Sequence, residues 1–166
     1  MSKLIDEIDN PFWQFSVNLY KDKRVQRVLL NLQQLHSLNI NSILFSLWLA
    51  AENIKLTSSE FLFIIKKVDM IQTDVTSKIR QIRNTIKHKL SLENKVANYQ
   101  FYQNILTLEL ESEAVQQFEL YQAVMVKMTS LSIKSSKINP KKYLNLLVND
   151  KFVFDDLLNC IKSSKK

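Results

Sequence analysis

The sequence predicts an all-α fold, a single globular helical bundle of six to eight helices arranged around one central apolar helix. Three observations predict it. The 166 residues contain no glycine, whereas hairpins of types I′ and II′ depend on residues that accept positive φ. Only two prolines, Pro11 and Pro140, interrupt the chain. Apolar residues recur at spacings of three and four over most of its length. A hydrophobic fraction of 46% with 23% charged residues suffices for one buried core. Asparagine is the expected occupant of left-handed positions at helix ends, and Asn39, Asn53 and Asn94 fall near expected boundaries.

The stretch "NPFWQFSVNLY", residues 10–20, opens the first helix, with Asn10 as N-cap and Pro11 preorganised for the first helical position. Phe12, Phe15 and Leu19 form one apolar stripe, with Trp13, Val17 and Tyr20 beside it. Asp22 caps a second helix whose inward residues are Val25, Val28, Leu29, Leu32 and Leu35, with Arg24, Arg27, Asn31 and Gln34 wet. Asn41 is the expected cap of a third helix, "SILFSLWLAAEN", apolar nearly all round and therefore central. Thr57 and Glu60 form a capping box before a fourth, with Phe61, Ile64, Ile65 and Val68 inward.

A break at "QTD", capped by Thr73 or Asp74, is expected before a fifth helix with Val75, Ile79, Ile82 and Ile86 inward. From about Leu92 to Met128 there is no breaker, and Val96, Tyr99, Tyr102, Leu106, Leu110, Ala114, Phe118, Tyr121 and Met125 keep helical spacing. A serine- and lysine-rich linker then leads to Pro140, which opens a short helix, and "FVFDDLLNCI" forms a last one. The expected division is a helical core over 1–128 and a lysine-rich, partly mobile C-terminal appendage over 129–166.

Composition also excludes functions. Phosphate-cradling loops and dinucleotide fingerprints need glycine, and none can be built. One cysteine, Cys160, and two histidines, His36 and His88, make neither a zinc site nor a disulfide framework. No cofactor and no catalytic residue is indicated. The opening "MSKLIDEIDN" carries acids where a secretion signal needs an apolar run, and the most apolar stretch, 43–51, is too short to span a membrane. The expectation is a cytoplasmic protein.

Net charge is +7, and its excess sits in residues 78–95 and in the tail, whereas 96–126 carry four acids and no base. Most of the basic residues are lysine, as an AT-rich genome would produce without selection for binding.

Four segments carry a likeness to a known family: "NPFWQFSVNLY", "LNLQQLHSLNINSILFSLWLA", "IRQIRNTIK" and "YQNILTLELESEAVQQ". In order and spacing, over about residues 10–120, the chain resembles the DUF2390 family of uncharacterised proteins from Gram-negative bacteria. The resemblance implies an all-helical cytoplasmic protein and brings no catalytic residue to transfer. It departs at "WLAAEN", where a glycine is expected near the end of the third helix, and the C-terminal 40 residues fall outside it.

Five features are candidates for function. Trp13, Tyr20 and Trp48 are a possible aromatic contact surface, against the plainer reading that these rings fill the core. Ser46, Gln33 and His36 are polar residues that either gather round Trp48 or are satisfied singly. Arg80, Arg83 and Lys87 align at i, i+3 and i+7; they form either an anion-binding face or partners for Glu109 and Glu113 across an antiparallel helix pair. Glu109, Glu113 and Arg83 could also serve acid–base chemistry, although the chain has no nucleophile–histidine pairing to accompany them. Lys127, Lys134, Lys137, Lys141 and Lys142 with Tyr143 offer nonspecific attraction to nucleic acid or an anionic membrane. The reading is a non-enzymatic helical interaction module whose partner is another protein. Its alternative is a binder of nucleic acid or an anionic ligand through the basic face of 78–89 and the tail.

Overall fold

The structure is a computed structural model that describes residue 4 and residues 7–89, 96–128, 137–148 and 153–163. Among these lie helices α1 (Pro11–Tyr20), α2 (Lys23–His36), α3 (Ile40–Ala51), α4 (Ser58–Ile71), α5 (Ser77–Lys89), α6 (Val96–Met128), α7 (Lys141–Leu147) and α8 (Asp155–Ser163). A π-helical turn, Gln72–Thr76, joins α4 to α5 as one continuous run, and no strand is present among the described residues. The fold is all-α.

Local chemistry places most helix starts. The Asn10 side chain accepts the Trp13 N–H at 3.0 Å, and Pro11 occupies the first helical position. Asp22 accepts the Arg24 N–H at 2.9 Å. Thr57 and Glu60 complete a reciprocal capping box, Glu60 N–H to Thr57 Oγ1 at 3.2 Å and Thr57 N–H to Glu60 Oε2 at 2.8 Å. The third cap falls two residues earlier than expected: Asn39 accepts the Asn41 N–H, which releases the Asn41 side chain into the interior. The left-handed turns are at Ser37 (φ 54°) and Asn53 (φ 56°), so serine takes a position expected for Asn39.

α3 is the centre. Every residue from Asn41 to Leu49 is buried, and the helix touches α1, α2, α6 and α7. Its aromatic rings knit these layers together. Phe12 lies 5.5 Å from Phe45 and 5.3 Å from Trp48, Phe45 stacks on Phe61 at 6.2 Å, and Tyr121 of α6 meets Trp48 at 5.8 Å. Such contacts add to the large apolar area each ring removes from water. The inward face of α4 matches the expectation, with Phe61, Ile64, Ile65 and Val68 all buried.

The C-terminal helices share this core. Tyr143, Leu144, Phe154 and Leu157 are fully buried in the cluster that holds Trp48 and Phe61. The Tyr143 ring stacks on Phe61 at 4.9 Å, and its hydroxyl accepts the Leu56 N–H at 2.7 Å. Two tail lysines are used internally: Lys141 pairs with Asp155 at 2.6 Å, and Lys142 donates to the Leu56 carbonyl at 2.7 Å. Lys137 is exposed, while Lys134 and the side chain of Lys127 lie outside the described residues, as does Asn94.

The expected break at "QTD" is instead the π-turn. A π-turn adds one residue to a helical turn and rotates the helix beyond it, which here points Thr76 fully inward. Of the residues expected inward in the fifth helix, Ile86 is buried and Ile79 half-buried, while the other two, with most of those in the first half of α6, lie outside. Val75 is 45% exposed, Ile82 50%, Val96 87%, Tyr99 54%, Leu106 40% and Leu110 43%. The reason is geometric: α5 packs on α6, so each helix of this pair hides one narrow face and leaves the rest in water. Leu35 at the end of α2 is also exposed.

Candidate binding site

The α5–α6 pair is held by an ion cluster. Arg80 donates from Nε to Glu109 Oε1 at 2.8 Å and from Nη2 to Glu113 Oε1 at 2.7 Å. Arg83 forks onto Glu109, its Nε meeting Oε2 and its Nη2 meeting Oε1. Spacings of three on α5 and four on α6 put each pair of like charges on one helix face, and antiparallel packing sets those faces together. The arginine side chains are only 23% and 20% exposed, Glu109 is 8% exposed, and Glu113 is 32% exposed. Such forked, charge-assisted bonds are the strong class. Lys87 stays outside the cluster on the exposed surface. Opposite it, residues 102–106 of α6 offer no acid.

Burial pushes the Glu113 carboxyl above the usual carboxylate range; Arg80 opposes that shift and Glu109 adds to it. The Tyr20 phenol is raised for the same first reason, burial, with the Glu113 charge second.

Beside the cluster is a cleft of about 530 Å³. Trp13, Ser16, Val17 and Tyr20 of α1 form one wall, and Lys23, Leu30 and Gln33 of α2 another. Lys21 stands at its edge, the start of α3 and Gln117 form the floor, and the ion cluster with Leu110 closes the far side. Amide side chains tie the floor to the π-turn. Gln116 Nε2 donates to Thr76 Oγ1 at 2.7 Å and to Gln72 Oε1 at 3.0 Å, and its Oε1 accepts from Asn39 Nδ2 at 3.1 Å and Asn41 Nδ2 at 3.3 Å. Gln117 Nε2 donates to Asn41 Oδ1 at 2.8 Å. The π-turn is thereby explained: it delivers Gln72 and Thr76 to one buried glutamine, and partnered amides are what a buried position tolerates.

Two groups on the cleft wall lack partners. Ser16, 3% exposed, and Gln117, 4% exposed, leave their Oγ and Oε1 without a hydrogen bond.

The aromatic candidates divide. Trp13 (8% exposed) and Tyr20 (half-buried) both line the cleft, whereas Trp48 is 2% exposed at the centre of the core and presents no contact surface. Helix α3 is enclosed on every side, which is why Trp48 is covered. Ser46, Gln33 and His36 do not gather round Trp48: Ser46 bonds back to the Ser42 carbonyl at 2.9 Å, Gln33 faces the cleft, and His36 is exposed. Sequence reading missed Ser16, Lys21, Lys23, Asn41, Gln72, Thr76, Gln116 and Gln117. The signal available was the adjacent Gln116–Gln117 on the core-facing side of an otherwise apolar stretch of α6. Among the described residues no group of histidine, cysteine and acids is placed to hold a metal ion, and no helix is long and apolar enough to cross a membrane.

No curated protein and no solved structure matches the chain. A family model described as "protein of unknown function (DUF2390)" matches residues 11–120. That span runs from the start of α1 to Leu120 in α6 and includes every residue of the cleft. The chain belongs to the DUF2390 family.

Proposed function

We propose that the chain is a non-enzymatic helical interaction module that docks an amphipathic helix of another protein along the first half of α6. The observation that carries this reading is the stripe Val96, Tyr99, Leu106 and Leu110, each at least 40% exposed. Their separations of three, seven and four are those of a coiled-coil seam, and the seam runs beside the ion cluster that holds α6 against α5. Exposed apolar side chains scattered singly are ordinary, but a line of them on one helix marks a contact surface. The partner it fits is a helix with apolar residues at matching i, i+3/i+4 and i+7 positions. The proposed setting is a bacterial cytoplasm, which the family resemblance supports.

The competing reading, nucleic acid or an anionic ligand on the basic face of 78–89 and the tail, has fewer free groups to work with. Arg80 and Arg83 are occupied by Glu109 and Glu113, which leaves Lys78, Lys87 and Lys89 as the exposed cations of α5. Three lysines without a forked donor attract phosphate weakly and nonspecifically.

Sedimentation and affinity capture test the reading together. The pure protein is expected to sediment as a monomer at micromolar concentration, and wild-type bait should retain a protein from host extract that a Tyr99→Glu/Leu106→Glu bait does not. Self-association lost in that double variant would assign the stripe to a second copy instead. Retention of nucleic acid that survives the double variant but not Arg80→Ala/Arg83→Ala would favour the competing reading.

A further inference from the structure

We propose that the cleft between α1, α2 and α6 is a binding site for a small organic anion with an apolar, ring-containing body. It meets the α6 stripe only at Leu110 and does not depend on that reading. A volume of about 530 Å³ falls within the range of small-molecule sites, and Trp13, Val17 and Tyr20 give one wall an apolar, aromatic lining. Charge selects the sign of the ligand. Four basic and two acidic side chains line the cleft, and the ion cluster consumes both acids and both arginines. Lys21 and Lys23 remain at the mouth, held only by neutral oxygens, Asn18 Oδ1 at 2.9 Å and Gln26 Oε1 at 3.2 Å. Their ammonium groups are therefore available to a carboxylate, sulfonate or phosphate head.

Deeper in, Ser16 Oγ and Gln117 Oε1 are buried and unpartnered. A buried polar atom without a partner is costly, and nearly all such atoms in folded proteins are satisfied. The serine hydroxyl has a proton to donate, and the glutamine carbonyl needs a donor. A ligand carrying an O–H beside its ring, in addition to its anionic head, answers both, and one carrying an N–H answers the glutamine. The Gln117 amide cannot rotate to satisfy its own oxygen, because its Nε2 is anchored on Asn41.

Fluorescence titration with 8-anilinonaphthalene-1-sulfonate tests the assignment. This probe has an apolar ring body, one N–H and one anionic head, and 1-anilinonaphthalene is the same body without the charge. Saturable one-site binding is expected, with the sulfonate preferred about tenfold through two partly solvated lysines. Lys21→Gln/Lys23→Gln should remove that preference and leave binding of the neutral compound unchanged. Val17→Trp, which fills the cleft from α1, should abolish binding of both at an unchanged melting temperature. If it unfolds the protein, Leu30→Trp closes the cleft from α2, where the side chain is already 45% exposed. Equal affinity for the two probes, no saturable binding, or binding that persists in a folded cleft-filling variant would each overturn the proposal.

Discussion

Glu109→Gln is the perturbation that the ion cluster makes most informative. Glu109 accepts from both arginines, and its side chain is only 8% exposed. Changing the carboxylate to an amide keeps the shape but removes the charge that two largely covered guanidiniums share. Breaking a fully buried pair costs about 3–5 kcal/mol, because the surviving charge is left uncompensated. Here the arginines keep 23% and 20% of their side-chain surface in water and Arg80 retains Glu113. Partial hydration thus reduces the expected loss to about 2–3 kcal/mol. For a chain of this length that lowers the melting temperature by roughly 5–10 °C. The comparison is Lys67→Ala, whose pair with Glu119 has a 66% exposed lysine and should cost under about 0.5 kcal/mol. A double-mutant cycle of Glu109→Gln with Arg83→Met, read by urea denaturation, should give a coupling of about 1–2 kcal/mol. A melting temperature indistinguishable from wild type for Glu109→Gln, or additive cycle energies, would refute the claim that these arginines serve α5–α6 pairing and would return them to ligand binding.

Three further outcomes rest on the same geometry. Tyr143→Phe leaves the Leu56 N–H without its 2.7 Å acceptor, so it should cost about 1–2 kcal/mol in urea midpoint analysis while the helical content by circular dichroism holds. Gln116→Leu removes one hydrogen-bond partner each from Thr76, Gln72, Asn39 and Asn41; it should cost about 3 kcal/mol and speed amide exchange across 72–76 more than across α3, whereas uniform acceleration would show the π-turn to be indifferent to it. Because burial raises the folded-state pKa of Glu113, the native protein holds that proton to higher pH than the unfolded chain. Wild-type stability should therefore fall relative to Glu113→Gln as pH rises from about 4.5 towards neutrality, and parallel pH profiles would contradict this.

The readable parts of the fold were those decided by local chemistry. Asn10–Pro11, Asp22 and the Thr57–Glu60 box each need only a side-chain oxygen at the right offset from an N–H, and all three stand where the sequence puts them. The apolar surround of α3 likewise announces burial. Failures came where a helix has fewer neighbours than its pattern suggests. Ile82 and Leu106 keep helical spacing, yet the α5–α6 pair offers no second layer to cover them. The π-turn was illegible because Gln72 and Thr76 look like loop residues until Gln116, some forty positions away, is brought against them. Arg80, Arg83, Glu109 and Glu113 came together because charge and helical spacing are both local properties. The cleft was missed for the opposite reason, since its lysines, serine and glutamine come from separate elements.

Site-specific photo-crosslinking in the native host tests the central claim most directly. A benzophenone side chain placed at Leu106, on the exposed stripe of α6, is predicted to capture one discrete protein, whereas the same group at the exposed Lys66 of α4 captures none. Equal capture at both positions, or none at Leu106 in a folded protein, would contradict a partner helix docked along α6.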